Sequence, residues 1–494
     1  MIRFWPLLVG VILLISGPAL SAQEQLTRAQ MEEDVRELVE VVRLTYAYVD
    51  EKKTDAGVDL DEILGHAQRQ LDVVKSNADF HDVLKEMIAE LKDGHCEVYA
   101  GHMVASKPQS WPFVVEATRE GLVMTVVHHF LARGPVALGD LVRQVNGRPL
   151  EKWVDDEARR ISASSDGARR KIALRRMMAT ADDTVQVKVE HSDGTMTTVT
   201  LETVPEWGVP VGPEFAVGRV QADGVGYIRI PTFACSTPAF NVAQTDADRD
   251  AALKPARDQI DAAFATVTDT NAMILDLRGN QGGADLLGGY LISHFLEGDF
   301  MYYTTQTRSS PELRRLPGFT YLPKTDGWDE KRPWYPRRTV YTFFKGKPYP
   351  GHLVVLIDET CFSTTDCVLH ALADLHPNVR FVGRPTNGGS GGPTVVARLR
   401  HSKADIQLCI MKVWSPRGRM IEGHGTRPNI PVEWTRDDVL TGRDPDLEEA
   451  LETCAKEAAM SLAITRRWMV AGVAAGVLLV GAVMILARKR KCVE

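Results

Sequence analysis

NAMILDLRGNQGGADLLGG, running from Asn271 to Gly289, decides how the rest of the chain is read. Ala272 to Leu277 is a short apolar run ending in a charged, glycine-rich turn, and from Ala284 to Phe295 apolar residues recur at helical spacing. The pattern predicts a buried strand, a tight loop and a helix. Gly279, Gly282 and Gly283 let the backbone bend where other residues resist, and they bare peptide N–H groups where the helix begins. Such a loop can cradle an anion or a developing oxyanion, although many strand-to-helix turns use glycines for packing alone.

A second stretch has the same grammar. In GHLVVLIDETCFSTTDCVLHALADL, Leu353 to Ile357 reads as a buried strand, Asp358 to Ser363 as a turn and Thr364 to Leu375 as a helix. A serine at this junction has its hydroxyl exposed and the next amide free, at a helix end that favours negative charge. The competing use is an N-cap, because Ser363 followed by Asp366 has capping-box spacing.

DLRGNQGG resembles the Asp-x-Arg-x-Asn-x-Gly-Gly signature of the C-terminal processing (tail-specific) serine peptidases, a family that includes the tricorn core protease. The resemblance implies that this loop supplies part of an oxyanion hole and that Ser363, in CFSTTD, is the nucleophile. The oxyanion donors would be the amides of Thr364 and of Gly282 or Gly283. Members with a Ser–Lys dyad carry the lysine in a Thr-x-Gly-Lys-Gly segment. The matching stretch here is PTNGGSGGP, with Gly389 at the lysine's place. A Ser–His arrangement like that of tricorn is therefore expected, with His95 of KDGHCEVYAG as general base. Gly94 stands where tricorn has a serine.

IEGHGTRPNIPVE resembles the family's closing Glu-x-x-Gly-x-x-Pro-Asp segment, with Asn429 in place of the Asp. Glu422 aligns with the acid that completes the tricorn-like set, and His424 is a rival base two residues on. On their residues alone, His95 reads equally as a solvated loop side chain and Glu422 as a surface carboxylate. Gly388 to Gly392 also satisfies GxSxG around Ser390, the nucleophile elbow of α/β-hydrolases. That elbow needs a helix next, and PTVVARL reads as a strand.

The 494 residues, 44% hydrophobic and 25% charged, suffice for two or three domains. The expected fold is multidomain, α+β with α/β: a signal peptide (1–22), an N-terminal helical bundle (23–105), a PDZ-like β-rich domain (106–205) and a peptidase core (212–440). An acidic juxtamembrane helix (441–466), a transmembrane helix (467–487) and a tail (488–494) would follow. The resemblance implies a crotonase-like αβ core. The Gly139-Asp140 turn and the Asn146-Gly147 hairpin resemble a PDZ domain, which in this family binds a substrate's C-terminus or gates access. Strand addition near Gly121, Leu122 and Val123 would be its mode. A small β-domain that only packs on the core is the alternative.

The ends of the chain point to a membrane. Phe4 to Ile15, a Gly-Pro break and the small residues Ala19, Ser21 and Ala22 describe a secretory signal peptide, cleaved after Ser21 or Ala22. Trp468 to Ala487 is long enough to span a bilayer, and the heavier basic cluster after it places the tail in the cytoplasm. The body would then be extracytoplasmic, periplasmic or extracellular. Cys96, Cys235, Cys361, Cys367, Cys409 and Cys454 could pair there, whereas Cys492 could not. No Cys/His ligand pattern suggests zinc. A formal net charge of −7 with no Lys/Arg tract in the body argues against nucleic acid.

These readings predict a membrane-anchored serine endopeptidase needing no metal or organic cofactor. Its partners would be a peptide or protein substrate and the membrane, with self-association left open. The rival is an inactive peptidase fold that holds peptides or protein C-termini through its PDZ-like domain.

Overall fold

The computed structural model describes residues 24–104, 107–128, 134–205, 216–220, 224–234, 246–314, 334–341 and 346–460. The expected signal peptide, membrane span and tail lie outside the described residues, as do Cys235, Cys492 and much of the aromatic stretch after Glu312. Among the described residues, no helix is long and apolar enough to cross a membrane.

A six-stranded sheet carries the core, in the order Ala216–Val220, Val225–Arg229, Ala272–Asp276, His352–Ile357, Arg380–Gly383, Ile430–Pro431. The first pair is antiparallel and the others are parallel. The two central strands are apolar from Ala272 to Leu275 and from Leu353 to Ile357, because both of their faces are covered. Met273 and Leu275 face the helices Asp246–Val267, Asp285–Ser293 and Thr364–Leu375, in a cluster with Leu253, Leu291 and Val368. Ala272 and Ile274 face the other way, onto Leu447, Ala450 and Cys454 of the helical segment 445–460. The glycine-rich loop and the serine turn leave the carboxyl ends of these neighbouring parallel strands, the place where open α/β sheets build sites.

The N-terminal helices are Arg28–Thr45, Val49–Ala56, Leu60–Gln70 and Asn77–Ala89. Thr27 with Gln30, and Ser76 with Asp79, form capping boxes that start the first and last of them. They do not close on themselves. Val35, Leu38, Phe80 and Leu84 share one core with Ile406 and Leu408. The strand Glu97–Tyr99 pairs antiparallel with Asp405–Cys409, which ties the segment holding His95 to the C-terminal half.

Between them lies an antiparallel sheet in the order Phe113–Thr118, Gly121–Val127, Leu141–Val145, Thr184–Glu190, Met196–Glu202. The helices Leu150–Ala158 and Asp166–Arg176 cover it, with Phe113, Val115, Met124, Leu174 and Val187 in a separate core. Asn146 and Gly147 both have positive φ (48° and 73°) at the predicted tight hairpin.

The expectation of disulfides is corrected for five of the cysteines. Cys96, Cys361, Cys367, Cys409 and Cys454 are buried free thiols, filling core positions as small apolar side chains.

Candidate active site

Four residues of DLRGNQGG, Asp276, Arg278, Asn280 and Gly282, hold the loop in place. Asp276, fully buried, accepts from Arg278 Nη2 at 2.8 Å and from the Tyr227 hydroxyl at 2.7 Å. Arg278 also reaches Asp444 (2.7 Å) and Asp446 (3.1 Å), and Arg384 holds Asp446 at 2.7 Å. This network ties the loop to the chain's C-terminal segment. Asn280 braces the turn: its Nδ2 donates to the Ile230 carbonyl (3.0 Å) and its Oδ1 accepts from the Gly282 N–H (2.9 Å). The Asn280 carbonyl accepts from the Phe362 N–H at 3.2 Å, joining the loop to the serine turn. Gly282 has φ +91°, and a Cβ there would lie 2.8 Å from Thr364 N. Only glycine lets the loop approach the peptide after Ser363 this closely.

Ser363 sits at φ 59°, ψ −122°, a strained conformation for a residue with a side chain. The N-cap use of Ser363 is ruled out by its geometry, since its side chain makes no capping hydrogen bond. Asp366 instead accepts from Thr386 Oγ1 and from the N–H groups of Gly388 (2.9 Å) and Gly389 (3.0 Å). Those bonds shape the turn whose Gly389 carbonyl receives the Ser363 N–H at 2.8 Å. Of the two candidate glycines, Gly282 has committed its N–H to Asn280. Among the described residues, the N–H groups of Gly283 and Thr364 have no acceptor. Both are therefore free to donate to an oxygen placed beside Ser363, as an oxyanion hole would require.

His95 Nε2 lies 3.1 Å from Ser363 Oγ. The His95 ring stacks on Phe362 with centroids 4.3 Å apart. Two glycines make room for that phenylalanine: a Cβ at Gly94 would lie 2.7 Å from its ring, and one at Gly389 would lie 2.2 Å from it. A lysine at position 389 would have to enter space that Phe362 fills. Burial holds the imidazole below its ordinary pKa, and Asp93 only partly offsets this. The ring therefore stays neutral and able to accept a proton at Nε2.

Behind the histidine is a buried acidic pocket. His95 Nδ1 is 3.8 Å from Asp93 Oδ1, and ligand atoms of Asp93, His95 and Glu422 all lie within 4.8 Å of one another. Both His95 Nδ1 and Glu422 Oε2 lack a hydrogen-bond partner among the described residues. Asp93 is fixed by the Tyr46 hydroxyl (2.9 Å) and the His95 N–H (2.8 Å). Glu422 is fixed by Lys52 Nζ at 2.6 Å, which also donates to the Lys92 carbonyl at 2.5 Å. Burial and Asp93 hold the Glu422 carboxyl above its ordinary range, while Lys52 pulls the other way. Burial also works against the Lys52 ammonium, but Glu422 and Asp93 outweigh it and keep the lysine charged. The three donors are of metal-ligand type. An ammonium already pairs with one of them, so the pocket suits a proton better than a second cation.

Lys52 carries no motif, and Asp93 stands in the KDGH turn with no role assigned to it from sequence. Helix Val49–Ala56, which presents Lys52, is hidden in sequence by its continuity with Leu26 to Tyr48. The partner of Lys52 lies 370 residues away. The remaining candidates fall outside this centre. Ser390 is buried, its Oγ 2.9 Å from Cys367 Sγ, and the strand Pro393–Arg398 follows it. His424 is exposed, with Nδ1 2.9 Å from the Glu422 carbonyl. Asn429, in place of an aspartate, both donates to and accepts from the Phe381 backbone at 2.8 Å, anchoring the last core strand.

The strand-addition expectation at Gly121, Leu122 and Val123 needs correction. Their strand lies between Phe113–Thr118 and Leu141–Val145, so it has no free edge. The edge strands of that sheet are Phe113–Thr118 and Met196–Glu202, and the first of them flanks helix Asp166–Arg176.

Comparison with known proteins agrees with this geometry. Residues 224–432 match peptidase family S41. That segment bears out the resemblance to the C-terminal processing serine peptidases, and the chain is a serine-type peptidase with an S41-like mixed α/β fold. Among solved structures, it is similar to mature CPAF (TM-score 0.63, 18% identity), covering 83% of this chain and 94% of that one. The complex of mature CPAF with lactacystin gives a TM-score of 0.66 at 18% identity, covering 86% and 97%. The photosystem II D1 C-terminal processing protease follows at 0.40 and 16%, covering 82% and 93%. At these identities the likeness is one of fold. No curated protein matches the chain.

Proposed function

We propose that this serine peptidase is an endopeptidase acting through an acyl-enzyme formed on Ser363, with His95 as its base. The observation that carries the reading is the 3.1 Å contact between His95 Nε2 and Ser363 Oγ, at a strained turn beside two unclaimed amides. Ser363 Oγ attacks the scissile carbonyl while His95 Nε2 takes its proton. The Thr364 and Gly283 N–H groups receive the oxyanion, each worth about 10² to 10³ in turnover. Glu422, with Asp93 beside it, stabilises the imidazolium that forms. His95 then passes its proton to the leaving amine, and water releases the acyl group by the reverse sequence.

The antiparallel domain is read as PDZ-like, with Phe113–Thr118 as the edge at which a peptide strand would add. The apolar run at 467–487, followed by its basic cluster, supports a membrane tether that leaves the catalytic domain outside the cytoplasm.

The test is fluorophosphonate labelling of the full-length chain in detergent, with peptide mapping of the adduct. Ser363 is expected to carry the label, Ser363→Ala to lose it and His95→Ala to label far more slowly. Lactacystin, bound by CPAF in a similar structure, serves as a competitor. A folded wild-type chain that takes no label at Ser363 rules the reading out.

A further inference from the structure

We infer that Ser164, on the turn between the two helices of the PDZ-like domain, is a positioning residue of the catalytic centre, holding the Gly94–His95 turn and donating its hydroxyl to Glu422. The inference rests on the reading of Ser363, His95 and Glu422 given above, and adds to it a residue from a different domain.

Ser164 Oγ accepts the Gly94 N–H at 3.1 Å, one residue before the catalytic histidine. A hydroxyl that accepts still has its own proton to place. Gly389 shows where that proton can go. A Cβ at Gly389 would lie 2.7 Å from Ser164 Oγ and 3.0 Å from Glu422 Oε2, so both oxygens border the one small space that a side chain at position 389 would fill. Glu422 Oε2 is buried and lacks a partner among the described residues, the state in which an acceptor gains most from a nearby donor. Ser164 also acts on the carboxyl in the expected direction, favouring its ionised form against burial and Asp93.

The turn is fastened on both sides of the hydroxyl. Asn387 Oδ1 accepts the N–H groups of Ser164 (2.9 Å) and Ser165 (3.2 Å). The Asn387 N–H donates to the Cys361 carbonyl at 3.0 Å, two residues before Ser363. Ser165 caps helix Asp166–Arg176, accepting from the Ala168 N–H at 3.3 Å, so the end of that helix is docked on the catalytic loops. Placing Ser164 thus fixes the base, the acid and the serine loop relative to one another.

The experiment compares full-length wild type, Ser164→Ala, Ser164→Thr, Glu422→Gln and the Ser164→Ala/Glu422→Gln double variant. The readouts are the rate of fluorophosphonate labelling at Ser363 from pH 5 to 9 and the thermal midpoint. Ser164→Ala is expected to label slower by about tenfold or more, the loss typical of a donor to a charged group. Its acid limb moves to higher pH, because Glu422 loses a donor that favours its ionised form. Ser164→Thr, which keeps the hydroxyl, restores both, and Ser164→Ala slows the Glu422→Gln protein by less than it slows wild type. A Ser164→Ala chain with the wild-type rate, or a slower one with an unmoved limb, overturns the inference while wild-type labelling still upholds the peptidase reading. A wild-type chain that takes no label at Ser363 removes both.

Discussion

Lys52 Nζ and Glu422 Oε1 lie 2.6 Å apart with both side chains buried, which makes a lysine from the N-terminal helices the counter-charge of the acid beside His95. Removing one partner of such a pair strands the other charge at a typical cost of about 3–5 kcal/mol. Here the stranded carboxylate also faces Asp93, so Glu422 takes up a proton instead and stops supporting the imidazolium. Lys52→Met is expected to lower the thermal midpoint and to slow labelling of Ser363 at neutral pH. Lys52→Met/Glu422→Gln should recover part of the stability without recovering the rate. Wild-type stability in Lys52→Met, measured by chemical denaturation, would sink this assignment.

The pH dependence separates the two titrating groups. Burial holds His95 below the ordinary imidazole value, so a limb set by the base alone would fall below about pH 6.5. Glu422 is held above the ordinary carboxyl range, and its protonated form withdraws support from the base. The wild-type acid limb should therefore follow Glu422, while Glu422→Gln should be slower but keep its rate to lower pH. Identical limbs in the two proteins would show that Glu422 has no part in the step.

Much of this centre is legible before any coordinates are seen, and the parts that are not share a physical cause. Ser363 and the Gly282-Gly283 pair sit where a buried strand meets a helix, and that junction is written locally in the residues. Lys52 and Ser164 act through packing across the chain: Lys52 on Glu422, and Ser164 on Gly94 and Asn387. No spacing rule records such partners. Gly94 and Gly389 look like losses of function in the string, yet in the fold they are the room for Phe362. The strand-addition site was misplaced because pairing order, not alternation, decides which strand is left at an edge.

Gly282→Ala tests how tightly the loop and the serine turn are matched. The new Cβ would lie 2.8 Å from Thr364 N and 2.7 Å from the Phe362 carbonyl, at a φ of +91°. Backbone must move, and it moves at the Thr364 amide proposed to receive the oxyanion. Peptide hydrolysis should fall by about 10² or more, the scale of losing one donor. Gly279→Ala is the control, because it has positive φ (+81°) but nothing within 4 Å of its added methyl. It should lose stability through strain and keep most of its turnover. Equal activity losses in the two variants, measured on folded protein, would mean that strain alone is responsible.

Asp366 links stability to pH with a definite sign. Burial raises its carboxyl to about 7, against the opposing pull of Thr386 and the Gly388 and Gly389 amides. A carboxyl whose folded pKa exceeds its unfolded value binds more protons when folded. Its contribution to stability is therefore complete below the unfolded value near 3.8 and is lost as pH rises through about 7. Wild type should lose stability relative to Asp366→Asn between pH 5 and 7, with a limiting slope of about 1.4 kcal/mol per pH unit for one proton. Above pH 7 the two curves should run parallel. Urea denaturation of both proteins at several pH values isolates this one group, since every other titration is common to them. Asp366→Ala, which leaves three buried donors without an acceptor, should be the least stable of the three, and should loosen the Gly389 carbonyl that holds the Ser363 N–H.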